Sequence, residues 1–95
     1  INAVEKTYLN DIKTEWQSFK NRTNDETLVI RFKKKLDELD ADYQVMSAQF
    51  QKDTSNVIII EALIENLQTR LELLKNIQRH IKILNQKNTS HETTI

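Results

Sequence analysis

The sequence predicts an all-α protein: an antiparallel three-helix bundle built on a long coiled-coil hairpin, with helices over about 2–21, 25–52 and 56–86. Three observations predict it. The chain holds no glycine and no proline, so long helices run without an internal breaker. Two polar clusters, Asn21-Arg22-Thr23-Asn24-Asp25 and Asp53-Thr54-Ser55-Asn56, punctuate it. After the first cluster, apolar residues recur at alternating steps of three and four, the period of a coiled-coil seam.

The first helix carries the stripe Leu9, Ile12, Trp16, Phe19. It ends at the first polar cluster, where Thr23 and Glu26 have the spacing of a capping box. A straight helix through 22–25 is sterically allowed, which leaves domain exchange between copies open. The second helix carries an unbroken seam: Val29, Phe32, Leu36, Leu39, Tyr43, Met46 and Phe50. Ser55 or Asn56 offers the cap of the third. The third seam is Val57, Ile60, Ile64, Leu67, Leu71 and Leu74; it meets Gln78 and resumes at Ile81. Residues 1–86 are expected to form the bundle domain, and 87–95 a flexible tail.

Folding the second and third helices back near residue 55 pairs the seams layer by layer. Val29 meets Ile81, Phe32 Gln78, Leu36 Leu74, Leu39 Leu71, Tyr43 Leu67, Met46 Ile64 and Phe50 Ile60, with one constant index sum throughout. Two independent seams have no reason to share that constant unless they pack against each other. One flank of this seam is polar, with Lys33, Asp40, Ser47, Glu61, Gln68, Lys75 and Lys82. The other carries Leu28, Leu63, Ile77 and Leu84, with Asp42 and Arg70 between them. The first helix is expected to cover the apolar flank at shallow packing angles. Asp42 and Arg70 then form a partly covered ion pair that sets register. Its net stabilisation is small, because desolvation offsets attraction, but losing one partner is costly. The competing reading is an Arg70 that holds an anionic ligand or a partner's carboxylate. Asn66, Gln68 and Thr69 are expected to face outward.

The composition excludes several functions. Fourteen basic residues balance fourteen acidic ones, which argues against a nucleic-acid partner, because a grip on phosphates needs a basic excess. Lys33-Lys34-Lys35 is followed closely by Asp37, Glu38, Asp40 and Asp42, the alternation of a solvated face. Without cysteine there is neither disulfide nor thiol nucleophile, and without glycine no phosphate-binding loop. His80 and His91 fall in no metal-ligand spacing, and Ser18, Ser47, Ser55 and Ser90 have no activating arrangement. Glu61, Glu65 and Glu72 follow a solvated helix face. No enzyme activity, cofactor, metal or catalytic residue is expected.

The longest apolar run, Val57 to Ile60, falls far short of the ~20 residues that cross a bilayer. No signal peptide and no initiator Met are present, so the chain is expected to be a piece of something longer, with room upstream for a targeting or membrane segment. Asn21-Arg22-Thr23 and Asn88-Thr89-Ser90 match the N-glycosylation pattern, which bears only on a secreted eukaryotic chain. Trp16 reads as core. Val45, Ile58, Ile59, Leu73 and Ile83 fall outside the seam and its apolar flank, and Val45, Ile59 and Leu73 share one heptad position. They are the expected interface, for a protein partner and for a homo-oligomer.

Two stretches, LDELDADYQ at 36–44 and NVIIIEALIENLQTRLELL at 56–74, resemble the C-terminal region of anti-sigma-factor-like membrane proteins of Bacteroidetes. That region reads as a Leu/Asp/Tyr helix, a short polar break, then AMI-N-Q-R-ELL and a short tail. Ala62, Ile64, Asn66, Gln68, Arg70, Glu72, Leu73 and Leu74 match it, with Leu63 where the family usually has Met. The resemblance covers about residues 32–85. Outside it the first helix matches only in character, with an aromatic near its start at Tyr8. It implies an upstream transmembrane helix and an N-terminal cytoplasmic segment that binds a sigma factor, both outside this chain. This chain would be the periplasmic, non-enzymatic part, coupling an envelope signal or partner to sigma-factor release. The alternative is a scaffold of the spectrin-repeat kind, also a three-helix bundle with a Trp in its first helix, and cytoplasmic in that case. A hydrophobic span upstream of Ile1 distinguishes the first reading, and tandem repetition of the unit the second.

Overall fold

The computed structural model describes the backbone of residues 2–94 and the side chains of 2–86. Three helices follow one another: α1 (Asn2–Arg22), α2 (Glu26–Lys52) and α3 (Val57–Thr94). No strand is present among the described residues. α1 folds back onto its own hairpin and packs extensively on α3; α2 packs on α3 from the other side, while α1 and α2 touch each other little. The all-α three-helix bundle read from the heptads is therefore the fold, with α3 as the shared helix.

The helix boundaries follow from capping. Asp25, rather than Thr23, caps α2: its Oδ1 accepts the N–H of Leu28 at 3.1 Å. Thr23 instead accepts the N–H of Asp25 at 3.1 Å and fixes the approach to the cap. Asn56 caps α3, its Oδ1 accepting from Ile58 at 3.1 Å and Ile59 at 3.3 Å. Each cap satisfies donors that a helix start leaves without an intrahelical partner. α3 does not stop near 86 but continues to Thr94. The tail expected at 87–95 otherwise lies outside the residues whose side chains are described.

The core is Ile12, Phe19, Tyr43, Leu63, Leu67, Leu71 and Leu74, with Phe19 and Leu74 fully sealed. Phe19 stands 5.7 Å from Trp16 and 5.3 Å from Phe32, centroid to centroid, so one aromatic cluster ties α1 to α2 at the first turn. Leu9, expected in the core stripe, stays outside the core at 38% exposure, and Tyr8 packs against the core beside it.

The polar contacts of α3 show how it is turned. Asn66 and Arg70 reach α2, at the Leu39 carbonyl and at Asp40. Gln68 and Gln78 reach α1, at the Tyr8 hydroxyl and at Glu15. So α2 lies on the Leu63–Arg70 side of α3 and α1 on the Gln68–Gln78 side. The expected arrangement, with α1 on the apolar flank, is reversed. A helix with two neighbours buries a wider arc than one seam, and the aromatic-rich α1 takes the larger share of it.

Candidate functional site

Because α1 and α2 both lean on α3 and hardly on each other, a groove opens between them. Its volume is about 360 Å³, near the lower end of ligand-sized pockets. Leu9, Ile12, Lys13 and Trp16 form one wall; Lys33, Leu36, Asp37 and Asp40 form the other. Arg70 of α3 lines it from between them. The hydrogen bond donated by the Tyr43 hydroxyl to Glu5 joins the walls at one end, and the Phe19–Phe32 ring contact joins them at the other.

Arg70 is 7% exposed, unusual for an arginine. Its Nη2 donates to Asp40 Oδ1 at 3.3 Å, a single long contact rather than a bidentate fork. Nε and Nη1 are buried and have no hydrogen-bond partner among the described residues. Leaving such donors unmet costs on the order of 1–3 kcal/mol each. The side chain of Asp40 is about half exposed (48%), so water solvates the carboxylate and weakens the pair further. On the α2 wall Lys33 is engaged with Asp37, one turn on, at 2.8 Å.

The expected partner of Arg70 was Asp42, and that is corrected: Asp42 is exposed and Asp40 makes the pair. Asp40 and Arg70 have the same index sum as the predicted seam layers, so the axial register is as expected. What differs is rotation about the helix axis, which swings the flank of Asp40 and Ser47 inward and that of Asp42 out. The same rotation buries Asn66, expected to face outward. Its Nδ2 donates to the Leu39 carbonyl at 2.8 Å, and its Oδ1 is buried without a partner. Gln68 and Thr69 are exposed as read.

Tyr43 was read as a seam residue and proves to be a polar one as well. Burial, then the hydrogen bond to Glu5 and its charge, push the Tyr43 phenol well above the usual tyrosine range. Arg70 opposes that shift and Asp40 adds to it, which places the hydroxyl within the field of the same charged group.

The expected interface residues separate into two sets. Val45, Ile58 and Ile83 are exposed, at 60%, 77% and 52%. Ile59 packs partly against the core, and Leu73 is half-buried. Val45, Ile59 and Leu73 share a heptad position, but on α3 that position is drawn inward with Asn66, whereas on α2 it faces away from the bundle. Trp16 is half-buried against Phe19, with the Lys20 ammonium 5.5 Å from its ring centroid. His80 is exposed, with Nδ1 3.4 Å from the Asn76 carbonyl. His91 lies outside the residues whose side chains are described. Among the described residues no group of three or more His, Asp or Glu is placed to hold a metal ion.

The sequence reading placed neither Asp40 nor Lys13 beside Arg70, and it left Asn66 outside the core. The signal for Asp40 was present, since its index sum with Arg70 equals that of the seam. For Lys13 and Asn66 there was none, because helix rotation decides their place. No family model matches the chain, and no curated protein or solved structure matches it.

Proposed function

We propose that this chain is a non-enzymatic interaction and sensing module, the periplasmic part of a membrane-anchored regulator of the anti-sigma-factor-like kind. The observation that carries the interaction reading is where large apolar side chains meet solvent. Val57 and Ile58 are exposed at the hairpin tip, and Ile83 and Leu84 are exposed where α3 reaches the end of its neighbours. With Ile30 and Val45 of α2 also in solvent, this much exposed apolar surface on a small bundle favours contact with a second copy or a protein partner. The regulator reading draws on the resemblance over about 32–85, and its membrane anchor and sigma-factor contact belong to segments outside this chain. None of the described helices is long and apolar enough to cross a membrane.

The test is fractionation of the native full-length protein from its source cells with an antibody to this segment, paired with protease shaving of spheroplasts. A membrane pellet with a protease-accessible segment and a sigma factor in the pull-down is the expected result. A soluble protein overturns the anchor. A second reading, the scaffold, is favoured by α3 running on as one helix to Thr94, past the bundle. In a tandem scaffold such a helix leads into the next unit, and a repeated unit in the parent chain would decide for it.

A further inference from the structure

We infer that the groove between α1 and α2 is a binding site for a small amphipathic monocarboxylate, an organic acid with an apolar body, held through Arg70 and Lys13. This stands apart from the regulator reading and holds or fails without it.

The first argument is the guanidinium. Arg70 is buried, borders the groove, and leaves Nε and Nη1 without an acceptor among the described residues. Native proteins pair such donors, and an unpaired one calls for a water, an ion, a ligand or a role; the apolar wall beside Arg70 favours a ligand with an apolar body. A planar carboxylate matches the edge of a guanidinium and takes two of its N–H groups together. Asp40 takes one N–H of Nη2 at 3.3 Å, which leaves the second Nη2 hydrogen and its neighbouring nitrogen as one unfilled edge.

Charge selects the class. The groove carries three cations, Lys13, Lys33 and Arg70, against two anions, Asp37 and Asp40. Lys33 is committed to Asp37 and Arg70 to Asp40, which leaves Lys13 as the uncompensated charge. One negative charge on the ligand neutralises the site; a dianion over-fills it. The apolar wall of Leu9, Ile12, Trp16 and Leu36 then takes the ligand's body. A bare inorganic anion leaves that wall wet and gains nothing from it.

Access follows from the packing. The groove's walls belong to the two helices that touch each other least, tied across it only at its ends by the Tyr43–Glu5 hydrogen bond and the Phe19–Phe32 ring contact, so its middle is where the walls can give. Opening exposes the edge of Arg70 that is now sealed. A ligand between the walls then adds a third tie between α1 and α2, midway between the two at the ends.

Trp16, the single tryptophan, lines the groove and reports its occupancy. The experiment titrates the full chain with sodium octanoate and follows Trp16 emission, with methyl octanoate and sodium acetate as controls. A saturable shift with octanoate alone is expected. Lys13→Glu, on the exposed rim, is expected to weaken octanoate at least about tenfold by replacing attraction with repulsion. Arg70→Met is expected to abolish the saturable shift while circular dichroism reports an intact bundle. An equal response to the methyl ester, a response that does not saturate, or unchanged octanoate binding by Lys13→Glu each overturns the proposal. Lys13→Glu decides the matter if Arg70→Met fails to fold.

Discussion

Two buried polar side chains of α3, Arg70 and Gln78, sit on the same helix two turns apart and have met opposite fates. Gln78 is 6% exposed, and its amide donates both to the Glu15 carbonyl, at 3.3 Å, and to the Glu15 carboxylate. Arg70 is as deeply buried, yet two of its nitrogens have no acceptor among the described residues. The difference lies in the neighbour. Gln78 faces α1, which packs closely on α3 and supplies acceptors beside Phe19 and Leu74. Arg70 faces the gap that α1 and α2 leave between them, where the nearest carboxylate is half in water. One end of the bundle is finished as structure, and its middle keeps unspent bonding capacity beside a cavity.

That contrast breaks first where it is strongest. Phe19→Ala should remove about 3–5 kcal/mol of unfolding free energy in urea melts, because a sealed aromatic in the α1–α3 packing leaves a cavity behind. A loss of less than about 1 kcal/mol would mean that α1 is not held to α3 as described.

The pairing of Arg70 comes next. Asp40→Ala leaves a buried guanidinium without its counter-charge and should cost about 2 kcal/mol. Asp42→Ala, at an exposed position, should stay within about 0.5 kcal/mol of the parent. The reverse order in thermal melts would restore Asp42 as the partner.

A third pair of variants sharpens the comparison directly. Gln78→Met strands Glu15 and should cost about 1 kcal/mol. Arg70→Met removes unmet donors and leaves Asp40 to water, so it should cost less than Gln78→Met, or nothing. Equal losses at both positions would erase the distinction between a finished and an unfinished polar site.

The smallest effect sits at the end of the groove, where Tyr43 donates to Glu5. At neutral pH Tyr43→Phe should cost less than about 1 kcal/mol. Its signature is the pH dependence. The folded phenol titrates above the unfolded value of about 10, so the native state holds this proton more tightly. The contribution is complete below pH about 10 and is lost as pH rises past it, because the unfolded state then releases the proton first. Alkaline melts of Tyr43→Phe should therefore fall less steeply than those of the parent. Parallel curves would show that the phenol is not held by burial and Glu5.

Much of this architecture was legible in the heptads. The three helices, their turns and the axial register all follow from spacing and cap residues, because a seam repeats many times and each repeat adds to the same signal. Arg70 was legible too, as a charge set among apolar neighbours. The identity of its partner was not. Asp40 and Asp42 lie two residues apart on opposite flanks of one seam, and a modest rotation of α2 exchanges which of them faces inward. The same ambiguity hid Asn66 and divided the expected interface, with Ile59 and Leu73 drawn partly inward and Val45, Ile58 and Ile83 left in solvent.

The sequence by itself determined the number of helices, where they turn, and which layers lie level along the axis. These depend on local propensity and on a one-dimensional repeat, and both are written along the chain. Only the tertiary structure decided which flank of α3 each neighbour takes, and therefore that a groove opens above Arg70. That choice depends on how three helices share limited apolar surface, with Ile12 and Phe19 of α1 and Tyr43 of α2 all buried in one core with Leu63, Leu67, Leu71 and Leu74 of α3. The resulting balance involves side chains far apart in the chain, and no single stretch carries it.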